Sequence, residues 1–105
     1  MRLFFDQGAP DPLRHHIAGH TVETCDDRGW SRVKNGDLLR AAEQDGFEVF
    51  LTTDQSLKYQ QNLTGRKLAI IVLLSTSWPK IQNRIQEIQD AVDHAKPGDY
   101  IEIQI

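Results

Sequence analysis

Two aspartates close apolar runs that read as buried strands: Leu3-Phe4-Phe5-Asp6 near the start and Val49-Phe50-Leu51-Thr52-Thr53-Asp54 in the middle. A third, Asp37, follows Asn35-Gly36 at the head of a stretch with helical spacing. Carboxylates gathered from separate elements suit a hard divalent cation, and through it phosphate chemistry. Mg²⁺ usually takes one or two protein carboxylates, keeps several waters and borrows the rest from substrate phosphate, so such a site needs neither His nor Cys. Asp6, Asp37 and Asp54 are therefore the candidate metal ligands and catalytic residues, and Mg²⁺ or Mn²⁺ the candidate cofactor.

Each acid also has a purely local reading. Asp6 could form an Asx turn ahead of Gly8. Asp54 could cap a helix starting at Gln55, and Asp37 could serve the helix dipole, worth roughly 0.3–1 kcal/mol. Taken together the three local readings lose ground, because all three acids fall at one end of one expected sheet. Lys58, in the turn after Asp54, is placed to meet a phosphate, and Gln55 belongs to the same polar stretch. Trp30 is followed by Arg32 and Lys34 in an expected loop. That makes it the better of the two Trp residues for base stacking, although core anchoring is the commoner use of both. His15 and His16 are adjacent and point to different faces, which argues against a shared ion.

These residues need a frame. Arg2 to Phe5 reads as a strand, and Pro10-Asp11-Pro12 as the first turn of a short helix to about Ile17. His20 to Thr24 alternates as a strand toward a sheet edge. Residues 26–34 read as a loop or single helical turn anchored by Trp30. Asn35 opens a helix carrying Leu38, Leu39, Ala41 and Ala42, which Gly46 closes. Glu48 to Thr52 is a strand, Ser56 to Asn62 a short polar helix, and residues 64–67 a basic turn. Leu68 to Leu74, the most apolar run, should be a central strand. Ser77 heads one helix with Trp78, Ile81, Ile85, Ile88 and Val92 at steps of three and four, and Tyr100 to Ile105 alternates as a final edge strand. Strands alternating with helices imply a Rossmann-like three-layer α/β/α domain around a mostly parallel five-stranded sheet. If the first and third strands are neighbours, Asp6 faces Asp54 across the crevice where the strand order reverses.

At 105 residues the chain suffices for one domain, residues 1–105. With 26% charged and 39% hydrophobic residues it has an ordinary globular composition. A net charge of −3 argues against coating nucleic acid by bulk electrostatics. The single Cys25 excludes an internal disulfide and a Cys-based zinc site. The first strand begins almost at Met1 and no apolar run nears membrane-spanning length, so a cytoplasmic protein without membrane contact is expected.

Leu3-Phe4-Phe5-Asp6-Gln7-Gly8, Asn35-Gly36-Asp37-Leu38-Leu39 and Leu51-Thr52-Thr53-Asp54-Gln55-Ser56-Leu57 resemble, in order and spacing, the motifs of PIN-like domains. The likeness is to the small bacterial group related to VapC-type toxins, and it spans nearly the whole chain. It implies a divalent-metal-dependent ribonuclease, the toxin of a toxin–antitoxin pair, with RNA as substrate, a cognate antitoxin as partner and a homodimer as a common assembly. It makes Asp6 the first-strand acid, Asp37 the helix acid and Asp54 the acid of the Thr-Thr-Asp turn. PIN nucleases usually carry a fourth acid, whereas Leu74-Ser75-Thr76-Ser77 offers only hydroxyls. That departure makes a non-catalytic PIN-like binding module the second expectation. A phosphoacceptor receiver domain ranks third, because Asp6 is followed by Gln7 and Gly8 rather than by a second acid.

Overall fold

In a computed structural model, which describes residues 1–63 and 65–105, the apolar runs become parallel strands. In chain order the elements are β1 (Arg2–Phe5), a 3-10 helix (Asp11–His16), β2 (Thr21–Thr24), α1 (Cys25–Arg28), α2 (Asn35–Gln44) and β3 (Val49–Thr52). There follow α3 (Leu57–Gln60), β4 (Ala69–Leu73), α4 (Trp78–Gln82), α5 (Ile85–His94) and β5 (Tyr100–Ile103). The described residues form a five-stranded sheet in the order β2-β1-β3-β4-β5, with every neighbouring pair parallel. The mostly parallel sheet expected is thus wholly parallel. Its first and third strands are neighbours, in register from Leu3 against Val49 to Phe5 against Leu51.

Parallel neighbours require crossovers, and the crossover helices cover both faces. Strand side chains alternate between those faces, which divides the core in two. Leu3, Phe5, Val49, Leu51, Ile71 and Leu73 pack with Leu13 of the 3-10 helix and with Ile81, Ile88 and Val92 of α4 and α5. Phe4, Phe50, Ile70 and Val72 pack on the other side with Cys25, Leu38, Leu39, Ala42 and Leu57. The result is a compact α/β domain of Rossmann-like, three-layer design. β3 and β4 are buried along their length, while β2 and β5 lie at the edges and carry exposed side chains.

Gly46 ends α2 at φ +85°, a left-handed turn that only glycine adopts without steric cost, and the chain enters β3 at once. One expectation needs correction. The helix read as continuous from Ser77 to Val92 is two, because the Asn83 and Arg84 amides bond back three residues, to Lys80 O (3.2 Å) and Ile81 O (2.8 Å). The tight turn interrupts the helix, yet Ile81, Ile88 and Val92 all pack in one core. The basic turn read at residues 64–67 begins at Thr64, outside the described residues; within it, Gly65 has φ +77°.

Candidate functional site

Asp6 and Asp54 meet because of strand order. From β1 the chain crosses to β2 on one side and then back to β3 on the other, which opens a crevice at the carboxyl edge between β1 and β3. Asp6 follows the last residue of β1, and its N–H still donates to Leu51 O at 3.1 Å, holding it in the sheet's register. Asp54 leaves β3 two residues after Thr52. Both carboxylates line one depression of about 240 Å³, walled also by Gly8, Cys25, Leu38 and Thr53.

Short polar side chains fix the two acids. The buried Thr52 hydroxyl donates to Asp6 Oδ2 and accepts the Asp54 N–H at 3.0 Å, so one hydroxyl ties both residues together. Asp6 Oδ1 accepts the N–H groups of Gly8 (3.0 Å) and Ala9 (3.2 Å), the Asx turn foreseen at this position. Asp54 Oδ1 accepts from Ser56 N–H (3.0 Å) and the Ser56 hydroxyl (2.6 Å), so it too caps its own turn. The Thr53 hydroxyl donates to Gly8 O at 2.8 Å. A Cβ on Gly8 would stand 2.6 Å from Thr53 Oγ1, which is why the loop after β1 can close on β3 only with glycine there.

Burial pushes the Asp6 carboxyl above the usual carboxylate range, and the charge of Asp54 adds to the rise. The hydrogen bonds from Thr52, Gly8 and Ala9 oppose it. Cys25, buried in the wall of the same depression, has its thiol pushed up to about 11 by burial first and by Asp6 second, so it stays protonated at neutral pH.

A second depression of about 460 Å³ adjoins the first, sharing Asp6, Gln7 and Cys25 and adding Asp11, Asp26, Asp27 and Arg14. Arg14 is already engaged, 2.9 Å from Asp27 and 3.7 Å from Asp11. Asp26 accepts the Ser31 hydroxyl at 2.9 Å. Asp26 and Asp27 were not singled out from the sequence although they stand near a strand's carboxyl end, one residue past β2 in the first turn of α1. The signal was the acid pair after Thr21-Val22-Glu23-Thr24.

The other expected site residues lie elsewhere. Asp37 sits in the first turn of α2, exposed and paired with Arg40, and lines neither depression. Lys58 pairs with Glu102 at 3.0 Å and shares with Gln55 a separate groove on the α3 side. Arg32 and Lys34 are exposed in the loop before α2. Trp30 is a core anchor, its ring 5.4 Å from Phe4, with the Arg28 guanidinium 4.9 Å over it. The Ser75 hydroxyl accepts the Ser77 N–H at 3.0 Å.

Among the described residues, no three His, Cys, Asp or Glu side chains stand close enough to share one ion. The donor set that remains, two carboxylates with open space before them, could hold one oxygen-seeking ion of the Mg²⁺ kind that keeps most of its water. It does not suit zinc, which takes three or four protein ligands. No helix of the described residues is long and apolar enough to cross a membrane. No protein-family model matches the chain, and no curated protein or solved structure matches it either.

Proposed function

We propose that this chain is a PIN-like domain that hydrolyses RNA with Mg²⁺ or Mn²⁺, as the toxin of a toxin–antitoxin pair. The observation that carries the reading is the convergence of Asp6 and Asp54, from two separate strands, on one depression at the point where the strand order reverses. On this reading the two carboxylates hold the ion, which when bound supplies Lewis acidity toward a phosphodiester. Thr52 orients Asp6 and the Asp54 peptide through its single hydroxyl, and Ser56 orients the Asp54 carboxylate. Asp37, outside both depressions, is not needed for the first ion. RNA and a silencing antitoxin are the implied partners, a homodimer the implied assembly and the cytoplasm the implied setting.

One observation favours a second reading. Both oxygens of Asp6 already accept hydrogen bonds within the chain, and among the described residues no third His, Cys, Asp or Glu completes an ion site with the pair. That suits a PIN-like binding module without turnover. The deciding experiment is cleavage of a mixed RNA substrate with Mn²⁺ or Mg²⁺, comparing wild type, Asp54→Asn and an EDTA control. Metal-dependent cleavage that disappears in the variant supports the nuclease. Intact RNA after incubation with folded wild-type protein and either ion selects the binding module.

A further inference from the structure

Beside the acid pair, on the side away from β2, lies a groove of about 380 Å³ lined by Gln55, Ser56, Lys58, Tyr59, Leu74 and Glu102. Ser56 is common to both places, because its hydroxyl donates to Asp54 Oδ1 at 2.6 Å while its other side faces the groove. Tyr59 is the one large hydrophobic side chain left exposed among the described residues, at 81%. A lone exposed ring is ordinary on a protein surface. This ring differs in its setting. The Tyr59 amide donates to Ser56 O at 3.0 Å, so one short turn ties the ring to the residue that orients Asp54. The Lys58 ammonium stands 5.2 Å from the ring centroid and 3.0 Å from Glu102.

We infer that Tyr59 is a stacking platform for one unpaired base of a single-stranded RNA segment, with Lys58 meeting the adjacent phosphate and Glu102 restraining that contact. The inference rests on the proposed ribonuclease reading and adds a substrate-binding residue to it. An aromatic face beside a lysine is the pairing that single-strand sites use, because every base has a π-face and every link carries a phosphate. A duplex cannot use the ring without unstacking a base. Glu102 is the counterion that an incoming phosphate must displace from Lys58, so it weakens binding in the free protein.

The test is a fluorescence-anisotropy titration of a labelled, unstructured polypyrimidine oligoribonucleotide in Ca²⁺ buffer. Wild type is compared with Tyr59→Ala, Tyr59→Trp and Glu102→Gln, and strand integrity is checked on a gel. Loss of the ring should weaken binding about 10-fold, within the ~5- to 150-fold range that base–aromatic stacking carries. Tryptophan should bind at least as tightly as tyrosine, and Glu102→Gln more tightly than wild type. Equal affinity of wild type and Tyr59→Ala overturns the inference, as does a wild type that binds no oligonucleotide. Cleavage with Mn²⁺ is scored separately. Cleavage with Tyr59-independent affinity removes the platform alone, whereas Tyr59-dependent binding without cleavage removes the nuclease alone.

Discussion

Thr52→Val isolates what holds the acid pair in place. The two side chains have the same shape, and the site is fully buried, so the substitution exchanges a hydroxyl for a methyl with little change in packing. It removes a hydrogen bond to the Asp6 carboxylate, worth about 1.5–3 kcal/mol because the acceptor is charged. It also leaves the Asp54 N–H without the acceptor it now has at 3.0 Å, a further penalty of about 1–3 kcal/mol where water cannot replace it. The added methyl group recovers about 0.8 kcal/mol by burial. The net loss should be about 2–5 kcal/mol, which for a domain near this size lowers Tm by roughly 8–40 °C.

The loss should also depend on pH, with a definite sign. Thr52 donates to the ionised form of Asp6, so removing it pushes that carboxyl further upward from a value that burial has already raised. Above the Asp6 value the full charge-assisted bond is lost. Below it, only a neutral bond is at stake, worth about 0.5–1.5 kcal/mol, so the gap between wild type and variant should narrow by about 1 kcal/mol. Urea denaturation at neutral and at mildly acidic pH measures both quantities. A loss under about 0.5 kcal/mol, or one that stays constant across this pH range, would refute the role given to the Thr52 hydroxyl.

Asp6→Asn should raise stability at neutral pH, because a carboxyl whose value is raised on folding loses stability as pH rises through that value, and Asn never ionises. Thermal melts should show the gain fading as pH falls below the ordinary carboxylate range, and a variant less stable than wild type at neutral pH would contradict it. On the proposed function, the same variant should abolish the rise in Tm that Mn²⁺ gives the wild type by binding the folded state. Gly8→Ala should destabilise the fold by about 1–3 kcal/mol, the usual cost of overpacking, since its Cβ would meet Thr53 Oγ1 at 2.6 Å; denaturant titration reads this. The hydrogen bonds from His20 and Gln89 hold the Asp93 carboxyl below its usual range. That contribution is present above the unfolded value and is lost as pH falls through the folded one, so Asp93→Asn should flatten the acid limb of a Tm-against-pH curve.

Sheet and core were legible because they follow from periodicities that survive without tertiary knowledge. Leu3-Phe4-Phe5 and Val49-Phe50-Leu51 are unbroken short apolar runs, as strands buried on both faces must be, and Leu38, Leu39 and Ala42 recur at helical spacing. The turn between α4 and α5 was not legible, because the apolar recurrence runs straight through Asn83 and Arg84 with no Gly or Pro to mark it. Thr52 was hidden for a different reason. Inside an apolar run a threonine reads as a β-branched strand former, and only the neighbouring β1 gives its hydroxyl a partner. Asp6 and Asp54 were found because a strand's end fixes where its next residues go. Asp37 could be assigned to a helix's first turn but not to a distance from the crevice, and with Arg40 three residues on it pairs locally. The Asp26 and Asp27 signal was present, but its weight depended on β2 lying next to β1.

The local hydrogen bonds at Asp6 do not by themselves call for a charge. An asparagine could accept from the Gly8 and Ala9 amides through its carbonyl and offer its amide to the lone pair of Thr52 Oγ1 that the Asp54 N–H leaves open. The carboxylate adds desolvation on ionising and repulsion from Asp54, both of which oppose the ionised fold. Turn formation therefore explains an Asx residue at this position and leaves its acidity unexplained. Two acids set against each other at the one crevice the strand order opens are relieved together by a cation placed between them. On the proposed function, stability lost to ionisation in the free protein becomes affinity for the ion, and this is the physical ground of that proposal at this edge.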